Sequence, residues 1–449
     1  MARRYFGTDG MRGRANTGPI TAQMIYKLAL AAGQHFSTVE NSKGRIVIGR
    51  DTRRSGNMIQ AALVSGFTSL GLDVVLAGII PTPAVAMLAG QYQADAGFMI
   101  SASHNPFYDN GVKLFGADGY KLTDETELKL EALMDASDDI KLVPSERIGT
   151  IIQASDPQER YIERLRSSVQ TDMTLQGFKV VLDCAHGAAC EVGPQILSDL
   201  GADLITIGDA PDGLNINDGV GSTHPEALIQ AVKHHNADIG IALDGDADRC
   251  ILIDETGKEI DGDQLIALIA TQWQTAGKLS QPGVVTTIMS NLGLENHFKS
   301  LGMTLERTKV GDRYVVEKMR QDGHNVGGEQ SGHIVLSDFS TTGDGLLAAL
   351  QALDAMARSR KPLSELGNVF TPVPQSLINV RYSKGSQPLE DEEVKAVIAR
   401  VEKRLGGEGR LVIRKSGTEP LIRIMTEALD EKAMLEAGEE IATAVRKVI

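Results

Sequence analysis

Three times along the chain, a β-branched run is followed by a helix-like segment and then by a Leu-Gly pair that opens a second apolar run. The first runs are RIVIGRD (Arg45–Asp51), FKVVLDCAHG (Phe178–Gly187) and GVVTTIMSN (Gly283–Asn291). Their partners are LGLDVVLAG (Leu70–Gly78), LGADLITIG (Leu200–Gly208) and LGMTLERTKVG (Leu301–Gly311). Strand, helix, glycine, strand is the pattern of a βαβ unit, with the glycine ending the helix. A third motif closes each copy: DAGFMISASHNP (Asp95–Pro106), ADIGIALDGDADR (Ala237–Arg249) and HNVGGEQSGHIVL (His324–Leu336). In open α/β sheets, ligands sit beyond the carboxyl ends of strands. The repeat therefore predicts three similar α/β domains with mixed sheets around a central cleft, plus a smaller C-terminal α+β domain.

Composition shifts set the expected boundaries at 1–154, 155–255, 256–369 and 370–449. ASDDIKLVPSERIG (Ala136–Gly149) is charged and holds a proline, and DPQERYIERL (Asp156–Leu165) reads as a helix opening the second unit. A turn at Glu255–Lys258 precedes the third, and ELGNVFTPVPQSL (Glu365–Leu377) reads as a Pro-rich linker to the fourth.

At 449 residues, 42% hydrophobic and 23% charged, the chain has the mix of a globular protein able to bury several cores. The formal net charge of −14 argues against non-specific nucleic-acid binding, so an anionic substrate needs local basic pockets. Cys184, Cys190 and Cys250 form no C-x-x-C pair, which fits reduced thiols and a cytoplasmic location. The uncharged stretch Val74–Ala94 raises the question of a membrane span. Pro81-Thr82-Pro83 cuts it in the middle, which reads as strand–turn–helix instead, and no membrane association is expected.

DGDADR places Asp244, Asp246 and Asp248 at alternating positions after the apolar run IGIAL. Like charges ~6 Å apart at an effective dielectric of ~20 repel by roughly 3 kcal/mol per pair, so the trio calls for a cation. Carboxylate oxygens suit Mg²⁺. An EF-hand is excluded, because Arg249 stands where the sharp turn needs glycine and the flanks read as strands. In SASHNP, Ser103 follows a buried strand and precedes an Asn-Pro turn; alone it reads as a turn serine. Beside a metal motif, its hydroxyl can carry a phosphoryl group, with Lys113 and His104 as the nearby candidates for proton transfer or charge stabilisation.

RLVIRKSGTEPLIRIMTEA (Arg410–Ala428) gathers Arg414, Lys415, Ser416, Gly417, Thr418 and Arg423 around one loop. Glycine lets backbone N–H groups approach an anion, hydroxyls donate, and arginines add charge-assisted bonds. GGEQSGH (Gly327–His333) offers Glu329 and Ser331 to sugar hydroxyls, and TKVGDR can supply Lys309 to the same cleft; a plain turn is the alternative for this loop.

In this order FGTDGMRG (Phe6–Gly13), SASHNPFYDNG, DGDADR, GGEQSGH and RKSGTEP resemble the α-D-phosphohexomutases, over nearly the whole chain. The resemblance implies an isomerase that moves phosphate between C6 and C1 of a phosphorylated hexosamine, working as a monomer or homodimer. It implies that Ser103 rests as phosphoserine and passes through a bound sugar 1,6-bisphosphate, which also serves as primer. One Mg²⁺ per chain would be held by Ser103, Asp244, Asp246 and Asp248. Arg12 and Arg249 would steady the transferring group, with Lys113 and His333 handling protons. Lys309, Glu329 and Ser331 would meet the sugar, while Arg414, Ser416, Gly417, Thr418 and Arg423 would hold the idle phosphate. The same chemistry on glucose or mannose phosphates is the nearest rival, and a metal-dependent sugar phosphatase is a further one.

Overall fold

The computed structural model describes residues 3–7, 9–36, 44–383, 385–406, 409–415 and 420–449. In the first sheet the strands are β1 (Met11–Arg14), β2 (Arg45–Arg50), β3 (Asp73–Ile79), β4 (Ala96–Ile100), β5 (Asp109–Gly116) and β6 (Ile151–Gln153), in the order β1-β5-β4-β2-β3-β6. The second has β7 (Lys179–Asp183), β8 (Asp203–Ile207), β9 (Ile239–Leu243), β10 (Cys250–Asp254) and β11 (Glu259–Ile260), ordered β11-β10-β9-β7-β8. The third has β12 (Gly283–Thr287), β13 (Thr304–Thr308), β14 (Val326–Gly328) and β15 (Ile334–Leu336), ordered β13-β12-β14-β15. A final antiparallel sheet, β16-β18-β17, comprises β16 (Gln375–Arg381), β17 (Gly409–Lys415) and β18 (Leu421–Ala428).

The expected repeat is present as topology. In each of the first three sheets two strands run parallel to a shared neighbour, and one of them pairs antiparallel with the strand that follows it. Each mixed sheet therefore turns back at the same place, the loop after its third repeat strand. These loops are Ser101–Tyr108 after β4, Asp244–Arg249 after β9 and Glu329–His333 after β14. The strands leading to them, AGFMI, IGIAL and VGG, are buried throughout, which fixes the loop bases.

Local chemistry sets the helices that frame the cleft. The stretch that raised the membrane question is β3, then a Pro81 turn, then the helix Thr82–Gln91 with proline in its first turn, where a missing N–H costs nothing. Among the described residues no helix is long and apolar enough to cross a membrane. The helix Gly345–Ser359 is capped by Asp344, whose carboxylate accepts the Leu347 N–H, and is buried from Gly345 to Met356. A helix so largely apolar belongs inside a core, and this one packs against β10 and the helix Gly262–Thr275, with its buried Gln351 accepting from the Trp273 indole at 3.2 Å. The Pro-rich segment before the last unit is strapped down. Val369 N–H and Phe370 C=O bond the Gln264 amide at 3.0 and 2.9 Å, and both backbone groups of Val373 bond Asn291.

Candidate active site

Ser103 lies on the loop after β4 with φ +54°, a left-handed backbone uncommon outside glycine. Its side chain is fully buried, and its Oγ donates to Asp244 Oδ2 at 2.6 Å, across the boundary between the first and second sheets. Contact between the two loops is close: a Cβ at Gly245 would lie 2.6 Å from the Ser103 carbonyl oxygen. One oxygen from each of Asp244, Asp246 and Asp248 falls within 4.8 Å of the others. Asp246 Oδ1 and Asp248 Oδ1 are buried without a hydrogen bond. Converging hard oxygens with unspent lone pairs fit a divalent cation such as Mg²⁺. Burial, reinforced by the charges of Asp248 and Asp246, pushes the Asp244 carboxyl up to about 8.

Positive charge closes on the trio from several elements. Lys113, on β5, puts Nζ 2.6 Å from both Asp246 Oδ2 and Asp248 Oδ2. Its burial opposes the charge, but Asp246, Asp248 and Asp9 together raise its pKa well above that of a free lysine. Asp248 is likewise held below the usual carboxylate range: desolvation works against this, and Lys113, His333 and Arg249 outweigh it. The Arg249 N–H donates to Asp244 Oδ1 at 3.2 Å, and its buried Nε makes no hydrogen bond, lying 3.9 Å from Asp248 Oδ1. Arg12, on β1, bonds Asp9 and also leaves a buried Nε unpartnered. Two guanidinium groups with spare donors beside an acidic trio that fits a cation are chemistry suited to a phosphoryl group.

His333 closes the third loop, with Nε2 3.3 Å from Asp312 Oδ2 and 3.8 Å from Asp248 Oδ2. Gly343 lets backbone lie against its ring, since a Cβ there would sit 2.5 Å from ring atoms. His104, beside Ser103, is pushed down to about 4 by burial and by Arg249 and Arg12.

These loops open onto a cleft of about 700 Å³ whose lining includes His104, Arg249, Glu329, Gln330, Ser331 and Arg423. All four sheets' segments thus reach one space. Glu329 accepts the Gly311 N–H at 3.2 Å, which orients its carboxylate, and burial raises its pKa. Arg423 and Arg414 stand directly opposite each other on β18 and β17, on one face of the sheet. Like charges so placed repel, and Arg423 Nε is buried without a partner, as an anion site requires. Lys309 is set apart, exposed with its Nζ 5.9 Å from the Tyr314 ring centroid, while its neighbour Val310 lines the cleft. Ser416, Gly417 and Thr418 lie outside the described residues.

Several participants were not singled out from sequence. Asp9 bonds Arg12 and Lys121, and Lys121 reaches on to Asp312, so the first and third units are tied beside His333. Thr82 touches Asp246 with its hydroxyl and bonds the Asp246 carbonyl through its N–H at 3.0 Å. Ser222 and Thr223 also line the cleft. Asp9 and Asp312 sit inside quoted motifs, FGTDGMRG and TKVGDR, which was their only signal. Nothing local marks Thr82 or the Ser222–Thr223 pair.

Sequence profiles of phosphoglucomutase/phosphomannomutase match in order: domain I over residues 3–141, domain II over 159–257, domain III over 261–373 and the C-terminal domain over 377–444. The chain belongs to the phosphoglucomutase/phosphomannomutase family, whose members share this four-domain α/β architecture. Within it, the full-length likeness is to proteins named phosphoglucosamine mutase: 54% identity over 446 residues for that of Phenylobacterium zucineum, and 55% over 445 for that of Parvibaculum lavamentivorans, each covering 99% of both chains. Among solved structures, a Burkholderia thailandensis phosphoglucomutase/phosphomannomutase family protein superposes with a TM-score of 0.83 at 22% identity, covering 100% of this chain and 98% of that one. An Aspergillus fumigatus N-acetylphosphoglucosamine mutase, solved with GlcNAc-6P and magnesium, gives 0.68 at 18%, covering 100% and 96%. At such identities the two structures speak for the fold.

Proposed function

We propose that the chain is a phosphoglucosamine mutase that interconverts glucosamine 6-phosphate and glucosamine 1-phosphate through a phosphorylated Ser103. One observation carries the mechanism: the Ser103 hydroxyl, buried on one repeat, donates at 2.6 Å to a carboxylate of the acidic trio on the next. A hydroxyl so placed is a nucleophile at a cation site.

Phosphoserine 103 gives its phosphoryl group to the C1 oxygen of glucosamine 6-phosphate, leaving a free serine and a bound glucosamine 1,6-bisphosphate. The sugar reorients, and the Ser103 oxygen takes the phosphoryl group from the C6 oxygen, so that glucosamine 1-phosphate departs and the enzyme is restored. The same bisphosphate primes an unphosphorylated enzyme. Mg²⁺, held by Asp244, Asp246, Asp248 and an oxygen on Ser103, would supply charge neutralisation at the transferred oxygens. Arg12 and Arg249 hold the moving group; Lys113, its ammonium bonded to Asp246 and Asp248, balances the trio's charge in place of the proton handling its motif suggested; and His333 exchanges a proton with the sugar oxygen. Glu329 and Ser331 bind ring hydroxyls in both orientations. Arg423 and Arg414, with Ser416, Gly417 and Thr418, hold the phosphate that is not reacting, and Lys309 adds charge at the rim. The domain edges at 154, 255 and 369 and a cytoplasmic setting complete this reading.

The experiment is kcat/KM with Mg²⁺ on glucosamine, glucose and mannose 6-phosphates, each primed with its 1,6-bisphosphate, with free phosphate followed in parallel. The expected result is preference for glucosamine 6-phosphate with no phosphate release. Preference for another sugar would reassign the substrate, and phosphate release without isomerisation would make the chain a phosphatase.

A further inference from the structure

Arg53 is among the largest side chains with no exposure at all, and so is unusual for an arginine. A buried ion pair with Asp51 explains part of this, at 2.8 Å from Nε to Asp51 Oδ2. Such a pair is replaceable by apolar residues of similar volume, often at no cost, so it does not by itself account for a guanidinium here. The remaining donors do. Nη2 donates to the Ser103 carbonyl at 2.8 Å, and Nη1 donates to the carbonyls of Pro106 at 2.5 Å and Asp109 at 3.2 Å. The Ser103 carbonyl lies on the loop between β4 and β5, outside the strand ladders, and takes its bonds from side chains.

The other end of Ser103 is held by the same group of residues. The Ser103 N–H donates to Ser101 Oγ at 2.9 Å, and that hydroxyl donates to Asp51 Oδ2 at 2.6 Å. Asp51 Oδ1 in turn accepts the Arg53 N–H at 2.9 Å. Both backbone groups of Ser103 are therefore fixed by one fully buried unit, mounted where β2 and β4 end side by side. From the second sheet, Asn217 Nδ2 adds bonds to the carbonyls of Ser103 at 2.9 Å and Asn105 at 3.0 Å.

We propose that Asp51, Arg53 and Ser101 form a positioning unit that clamps the N–H and C=O of Ser103, holding its left-handed backbone so that Oγ faces the acidic trio through both phosphoryl transfers. The inference rests on the reading of Ser103 as the phosphate carrier. In phosphoryl transfer most of the catalysis is alignment, and a displacement of about 1 Å at the reacting atom can cost on the order of 100-fold in rate. A carrier that must donate to one sugar oxygen and then accept from another needs its oxygen at the same point each time. Touching no substrate, the unit acts on kcat and leaves sugar binding alone.

Ser101→Ala, Arg53→Lys and Arg53→Met test this in the full-length protein, with Asn217→Ala as a probe from the other side. The measurements are kcat and KM for glucosamine 6-phosphate, the urea midpoint, and the rate at which Ser103 gains phosphate from glucosamine 1,6-bisphosphate, read by intact mass. Ser101→Ala is the deciding variant, because it removes a single oxygen and leaves the ion pair in place. Its kcat is expected to fall about tenfold or more. KM should stay within about twofold, and phosphate uptake per folded molecule should slow in step with kcat. Arg53→Lys is expected to recover part of what Arg53→Met loses, since an ammonium can still reach one carbonyl. Wild-type kcat and uptake in folded Ser101→Ala would overturn the proposal. So would a loss traceable wholly to a smaller folded fraction. If wild-type Ser103 takes up no phosphate at all, the carrier reading fails and this proposal falls with it; normal wild-type uptake with an indifferent Ser101→Ala overturns the positioning unit alone.

Discussion

The Ser103 hydroxyl donates a hydrogen bond to Asp244, and that bond joins two residues with no local reason to meet. Ser103→Ala removes the oxygen proposed to carry phosphate and leaves a small side chain in a fully buried site, so the variant is expected to fold with turnover reduced by at least about 10³-fold; a primed mutase assay beside a circular dichroism spectrum checks this. Asp246 is held by Lys113 and Thr82, so Asp246→Asn keeps its shape and loses a charged oxygen. The Mg²⁺ concentration for half-maximal rate is expected to rise about tenfold or more, read from a metal titration of activity. As candidates, Ser103 and the three aspartates were legible in sequence because each motif gathers its polar side chains within a few residues. Arg53, Thr82 and Asn217 were not, because each acts on a loop more than a few turns away in the chain, and single polar residues carry no pattern until that loop is in place.

At the scale of elements, three chemical loops occupy one structural position. The Ser103 loop, the acidic-trio loop and the Glu329–His333 loop each follow the third repeat strand, where the chain reverses into an antiparallel partner. The βαβ periodicity made this arrangement readable for the first two. The third was legible only as a glycine-rich turn, since β14 is a mere three residues and its pairing is set by neighbours. β6 and β1 were missed for a similar reason: short segments become strands when a long strand offers them an edge. Gly245 is where two of these loops touch. Gly245→Ala would drive a methyl into the Ser103 carbonyl and the Asn217 amide, at 2.6 and 2.8 Å. Both are held firmly, so the expected outcome is a destabilisation of about 1–3 kcal/mol with kcat down about tenfold or more, measured by urea unfolding and steady-state rates.

At the scale of the molecule, burial leaves a mark on pH dependence. Burial and the Asp261 charge push Asp263 up to about 7, and Asp344 is raised to about 7 by burial as well. An unfolded Asp titrates near 3.9, so between about pH 4 and 7 the folded chain binds protons that the unfolded chain has released. Stability is therefore greatest toward the acidic side of that window and is lost as pH rises through it, by about 1 kcal/mol per pH unit for each such group. Asp263 accepts the Asn291 N–H at 2.7 Å, a bond that an amide oxygen can also accept. Asp263→Asn is expected to flatten the fall of the urea midpoint between pH 5 and 8; an unchanged slope would place the proton uptake elsewhere. The general fold at this scale was legible from repeats and composition. The strapping of residues 369–373 onto the third unit was not, because a Pro-rich stretch reads as a linker whether it hangs free or is bonded along its length.

The separation of 141 positions between Ser103 and Asp244 also sets an order of events during synthesis. A growing chain finishes the carrier loop well before it makes the acidic trio, and the trio before the arginines of β17 and β18. On the proposed reading, a nascent first domain presents Ser103 without the acidic trio, and a chain halted after β11 has both but lacks Arg414 and Arg423. The grip on the second phosphate is, on that reading, the last part of the site to be made.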